Sequence, residues 1–149
     1  MMKLIHRIEN LISKCVPAWF ASLALRVGVA IPFWKSGLTK WDGFGVLSET
    51  PVLLFENEFV LHIFGKEYGF PFPTLMAYAS SIGEIILPIL VVLGLFTRFA
   101  GLGLLFMTLI VQLTFPDAWP VHLTWAAMAL GVIHLGGNRL SLDRFLLKG

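Results

Sequence analysis

The sequence predicts an all-α integral membrane protein: an antiparallel four-helix bundle with a short interfacial helix in the first extracytoplasmic loop. Three observations predict it. Of 149 residues, 57% are hydrophobic and only 13% charged, whereas soluble domains carry about 25% charged residues. The mean hydropathy is +0.82, and a domain this small cannot hide so much hydrocarbon, because its surface is large for its volume. The apolar residues also gather into four long runs, separated by proline, glycine and charge. This composition excludes a soluble globular domain, and it excludes a disordered chain, which needs low hydrophobicity and high charge.

The first residues, 1–14, are amphipathic and carry Lys3, Arg7 and Lys14. A basic start before an apolar run is the layout of a signal peptide. The run that follows, 17–38, contains Arg26 and Lys35; a charge such as Arg26 is foreign to a signal sequence, so the run reads as the first retained span. At about 1.5 Å of rise per residue it is long enough to cross the hydrocarbon. The stretch 39–69 is the most polar, with Asp42, Glu49, Glu56, Glu58, Lys66 and Glu67. Within it, apolar residues at 52, 55, 59 and 63, beside 53, 60 and 64, have the spacing of an amphipathic helix lying in the interface. Pro71 and Pro73 punctuate the entry to a second span, 74–96, which contains Glu84 and Pro88. The connection 94–98 is so short that the third span, 99–115, must return beside the second. A reversal at Pro116–Pro120 leads to the fourth span, 121–135, and Gly136-Gly137-Asn138 ends it. No shift of composition divides the chain, so residues 1–149 read as one domain.

Four spans place both termini on one side. That side collects Lys3, Arg7, Lys14, Arg98, Arg139, Arg144 and Lys148, while the other is dominated by acidic residues of the first connection. The positive-inside rule then puts both termini in the cytoplasm. The net charge of +2, without a dense basic patch, gives no footprint for nucleic acid. A single cysteine, Cys15, excludes an internal disulfide and a cysteine metal site, and His122 and His134 are too far apart for ligand spacing.

Two charges fall inside the spans. With spans one and two set at equal depth, Arg26 and Glu84 lie about 5 Å apart in height by helical rise. Each alone would cost at least ~2.5 kcal/mol near the midplane, so the expectation is that they meet and form charge-assisted hydrogen bonds. Two roles stay open for such a pair: a structural clamp, or the lining of a cavity for a polar headgroup, a proton or a quinone. Pro88 lacks an N–H and frees the carbonyl of residue i−4, which is Glu84 itself, predicting a kink there. The outward end of the bundle gathers Lys35, Lys40, Gln112 and His122 among Trp34, Trp41, Trp119 and Trp125. The tryptophans suit an aromatic belt, whereas Gln112 and His122 are candidates for a mouth leading to Glu84 and for donating to a bound carbonyl. Gly94, Gly101, Gly103 and Gly131 permit close helix contact, in a tight monomer or at the face of a homo-oligomer.

Leu25-Arg26-Val27-Gly28, followed by Phe33-Trp34-Lys35-Ser36-Gly37-Leu38-Thr39-Lys40, resembles the first-span signature of the DoxX family, with its Arg, small residue, Gly and Lys at Arg26, Ser36, Gly37 and Lys40. Ile82-Gly83-Glu84 with Pro88 and Gly94, then Thr97-Arg98 and two short spans, is similar to the family's second half; the resemblance covers about residues 18–137. It implies a small bacterial inner-membrane protein of four helices. The founding name of the family comes from a subunit of a thiosulfate:quinone oxidoreductase, and some relatives are linked to membrane redox or thiol-stress systems. The resemblance therefore implies an accessory or quinone-contacting subunit, with any redox cofactor on a membrane or soluble oxidoreductase partner. The pocket set is Arg26, Glu84, Gln112, His122 and Lys35. Two alternatives remain at this level: a non-enzymatic scaffold or assembly protein, and a small transporter or lipid-binding protein.

Overall fold

The structure, a computed structural model, describes residues 2–146. Its frame is four antiparallel helices: α2 (Ala18–Leu38), α4 (Pro73–Leu93), α5 (Thr97–Thr114) and α6 (Trp119–Leu135). They close into a ring in which α2 packs on α4 and α6, and α5 packs on α4 and α6. Helices α4 and α5, and α6 with the turn before it, are long and apolar enough to cross a membrane; α2 joins them as a fourth when taken with the preceding α1 (Met2–Cys15), which meets it at 55°. Small residues set the seams. A Cβ on Gly28 would come 2.9 Å from Met128 Sδ, and one on Gly131 2.8 Å from Leu25, so α2 and α6 touch nearly backbone to side chain. Val29, Phe33, Val91, Leu104, Ala129 and Val132 fill the centre.

The first connection is a folded cap, which corrects the expectation of one interfacial helix over 52–64. Its helix, α3 (Glu49–Asn57), lies between two hairpins: β1 (Trp41–Gly43) with β2 (Val46–Leu47), and β3 (Val60–Ile63) with β4 (Lys66–Gly69). The amphipathic spacing holds only as far as residue 57. Beyond it, Val60 and Ile63 are in a chain whose Phe64-Gly65 pair makes a two-residue turn, and strand pairing satisfies the backbone instead. Phe55 and Phe70 pack with Ala77 of α4, while Met76 and Ile110 close the cluster. The cap is thereby fastened to the ends of α4 and α5. The four long helices lie close to the expected bounds, α4 beginning at Pro73 and ending in a glycine turn at Gly94.

At the opposite end the chain after α6 folds back across the helix termini. Leu142 N–H donates to Leu93 O at 3.1 Å and Asp143 N–H to Gly94 O at 2.8 Å. A four-residue helix, α7 (Asp143–Leu146), follows.

Candidate functional site

Glu84 sits midway along α4 and is 6% exposed. Its level against α2 is set by Gly37, where a Cβ would stand 3.0 Å from Glu84 O and 2.8 Å from Ile85 Cδ1. Only glycine allows that approach, and it brings the chain after α2 down onto the carboxylate. Lys40 Nζ lies 2.8 Å from Glu84 Oε1, in hydrogen-bond alignment, and 2.7 Å from Oε2. The second oxygen has no aligned donor, and Trp41 Nε1, buried one residue along, has no acceptor among the described residues. The Ser36-Gly37 and Lys40 motif thus has a physical content: a small contact, then a cation one turn on that neutralises a buried acid. The carbonyl that Pro88 frees is the one facing Gly37. Helix α4 continues unbroken through that proline.

Arg26 does not pair with Glu84, and the physical reason is register. The equal-depth alignment fails because Gly37, near the end of α2, is level with Glu84. The Arg26 guanidinium reaches the far end of α4, seven residues from Glu84, about 10 Å by helical rise. There Nε donates to Val91 O at 2.7 Å, Nη1 to Leu140 O at 2.7 Å, and Nη2 to Val92 O. A cation at a helix C-terminus satisfies carbonyls that have no helical partner and complements the helix dipole. Arg26, 1% exposed, is the post on which the returning chain is fixed.

Asp143 completes this clamp. Its carboxylate accepts Phe96 N–H at 2.7 Å, Thr97 N–H at 2.9 Å and Thr97 Oγ1–H at 2.6 Å, capping the start of α5 from 46 positions away in sequence. Burial pulls the Asp143 carboxyl upward, but the Thr97 and Phe96 hydrogen bonds and the Arg26 charge outweigh it and hold it below the ordinary carboxylate value. Ser22 Oγ–H adds a bond to Gly136 O at 3.1 Å. Nothing in the sequence marks Asp143 as more than a tail charge. The glycine pair before it, which lets the chain reverse, is the only signal.

The structure does bring Gln112 and His122 together. His122 Nδ1–H donates to Gln112 Oε1 at 2.8 Å, and the Gln112 amide donates to Pro116 O at 3.1 Å. This fixes the neutral imidazole as the Nδ1–H tautomer and leaves Nε2 as an acceptor with no protein partner among the described residues. One Gln112 N–H also stays free to donate. His122 rests against Trp125, ring centroids 5.2 Å apart, and Trp125 against Phe33 at 5.4 Å, which tie the imidazole to the core. These groups close one end of a lateral groove between α5 and α6, about 520 Å³ in volume, whose walls include Leu102, Phe106, Leu109, Trp119 and Leu123. Leu102 to Gln112 covers about 15 Å along the helix. A headgroup's hydrogen-bonding end and a hydrocarbon tail therefore each find a matching surface. A second groove, about 380 Å³, between α2 and α4 is lined by Val27, Ile31, Trp34, Pro88 and Val92 and offers no polar side chain except the indole of Trp34.

Of the five expected pocket residues, only Gln112 and His122 share this groove. Glu84 is held by Lys40, Arg26 belongs to the terminal clamp, and Lys35 is exposed at the end of α2. Arg98 is exposed, its side chain lying along Gly136. Among the described residues no three His, Cys, Asp or Glu side chains gather as a metal site.

Residues 21–117 match the family described as DoxX. The chain is also 25% identical to an uncharacterized protein of Haemophilus influenzae over 139 residues, 85% of this chain and 83% of the relative. No solved structure matches it.

Proposed function

The chain belongs to the DoxX family, and from that premise we propose that it is a quinone-contacting accessory subunit of a membrane redox system. Its multi-pass helical architecture is the frame; the groove between α5 and α6 is the site. The single observation that carries the reading is the polar end of that groove. His122 Nε2 can accept a hydroxyl hydrogen and the free Gln112 N–H can donate to a carbonyl, so quinol and quinone forms each find a partner. Trp119 and Phe106 supply flat apolar surface for a ring. The groove walls carry no Lys or Arg, so a phosphate-bearing headgroup would enter without a counter-charge, which favours a neutral head. The basic residues gathered at the terminal end support placing both termini in the cytoplasm and the cap outside.

The buried charges favour a second reading. Lys40 and Glu84 pair with each other, Arg26 binds the carbonyls of Val91, Val92 and Leu140, and Asp143 caps α5, so all four spend their polarity on the protein's own architecture, as a scaffold would require. The two readings separate on purification from the native membrane in mild detergent, with extracted quinone measured per protein. The redox reading expects near-stoichiometric quinone that falls sharply in the Gln112→Leu, His122→Phe double variant while the elution profile is kept. No quinone in the wild type, or equal quinone in the variant, overturns it in favour of the scaffold.

A further inference from the structure

The β3–β4 hairpin ends in Phe64-Gly65, with Ile63 paired to Lys66 across the turn. Both turn residues are left-handed, φ +50° at Phe64 and +75° at Gly65. Such a turn selects Asn, Asp or Gly, because a Cβ there crowds the following carbonyl. Phe64 is also 102% exposed. An aromatic so exposed draws no packing from its own chain to offset the strain, and its face is open to an occupant outside the chain.

The path of β3 indicates what that contact is. Before the strand, the Phe59 ring packs on the Phe115 ring, centroids 5.4 Å apart. Three residues later His62 Nδ1–H donates to Leu113 O at 3.1 Å. Strand β3 is therefore held beside the last turn of α5 as it approaches the hairpin turn. Helix α5 has 18 residues, about 27 Å by helical rise and close to the hydrocarbon thickness. Leu113 then stands near the hydrocarbon boundary, and the hairpin bonded to it lies at that level. Lys66 and Tyr68 on the returning strand are exposed. An apolar tip with Lys and Tyr behind it is the side-chain set that anchors at a membrane interface.

We propose that the β3–β4 hairpin is a lipid anchor: Phe64 enters the leaflet on the cap side below the headgroups, with Tyr68 and Lys66 at headgroup level. This holds the cap at a fixed depth over the outer ends of α4 and α5, and it stands independently of the quinone reading. The occupant is the leaflet itself rather than a protein partner, since the strand is fixed against the end of a span, at the level of the hydrocarbon boundary.

The test uses the full chain in phosphatidylethanolamine/phosphatidylglycerol vesicles, with Cys15→Ser to remove the native thiol and a nitroxide attached at Phe64→Cys. Collisions with oxygen and with a water-soluble nickel chelate are compared with labels at Ile86→Cys, exposed midway along α4 and outside both grooves, and Asn57→Cys, on the exposed cap helix. The expected result is an oxygen-dominated signal at 64, resembling position 86. A chelate-dominated signal resembling position 57 overturns the proposal, and so does a label immobilised and shielded from both, which would mean protein contact. If Phe64→Cys does not fold, Tyr68→Cys takes its place. A label there should report a depth between the two references, and full chelate access would again overturn the anchor.

Discussion

Replacing Lys40 by Met leaves the Glu84 carboxylate buried without its cation. Breaking a buried pair by removing one partner costs about 3–5 kcal/mol; Lys40's side chain is 20% exposed, which places the cost at the lower end, about 3 kcal/mol. The reverse change, Glu84→Met, leaves a lysine that can turn toward the nearby interface, so its cost is smaller, about 1.5 kcal/mol. The double variant replaces both charges by apolar groups of similar volume and should cost only about 1.5 kcal/mol, giving a coupling near 3 kcal/mol. A parallel cycle of Arg26→Met with Glu84→Met has a different expectation. Arg26→Met alone strands the Val92 and Leu140 carbonyls, for about 2–5 kcal/mol. Because its guanidinium lies about 10 Å along α4 from Glu84, the two effects should add to within ~0.5 kcal/mol. Reversible unfolding in mixed detergent micelles, read by circular dichroism, measures both cycles. Additivity in the Lys40 cycle, or strong coupling in the Arg26 cycle, would refute the register assigned to α2 and α4.

Three further outcomes follow from the same geometry. Gly94→Ala should cost about 2–4 kcal/mol, combining the left-handed penalty with overpacking; its Cβ would stand 2.5 Å from Ser141 Cβ and 2.9 Å from Arg26 Nη2. Hydrogen exchange over residues 137–146 should accelerate, and unchanged protection would count against the clamp. Asp143→Asn should cost about 1–2 kcal/mol at neutral pH through the weakened cap. Because the folded carboxyl is held below its unfolded value of about 3.9, this stabilisation is present above that pH and lost as pH falls through the folded value. The melting temperatures of the wild type and Asp143→Asn should therefore begin to draw together as pH falls below about 4 and meet only below the folded value, and a constant gap would sink the assignment. Gly37→Ala pushes a Cβ against Glu84 O, which is backbone and cannot turn aside. It should cost about 1–3 kcal/mol, visible as a lowered detergent midpoint, whereas an unchanged midpoint would remove the close-contact role of that glycine.

The sequence made the spans legible because membrane insertion depends on length and apolarity, both of which are local sums. It placed Gln112 and His122 together at the outward end of the bundle, but as candidates for a mouth leading to Glu84; their hydrogen bond to each other, and the separation of Glu84 from them, are tertiary. Register across the long first connection was a different matter. Nothing local fixes how far α2 slides along α4. The decisive feature, Gly37 seated on the Glu84 carbonyl, is a tertiary contact. That slide moved Arg26 to the clamp and gave Glu84 to Lys40, which the resemblance had marked without a role. The cap misled for another reason. Apolar residues at 55, 59 and 63 fit a helical period, but Phe64-Gly65 is a hairpin turn whose aromatic residue hides the usual Asn-Gly signal. Asp143 was illegible because its partners, Phe96 and Thr97, are 46–47 positions away.

The groove between α5 and α6 is tested most directly by a photoreactive quinone incorporated into membranes containing the protein, with the cross-linked residues mapped by mass spectrometry. Adducts should fall on Phe106, Leu109, Trp119 or Leu123 and be displaced by excess unlabelled quinone. Adducts concentrated on Val27, Ile31 or Val92 of the α2–α4 groove, or spread over all lipid-facing residues without competition, would contradict the account.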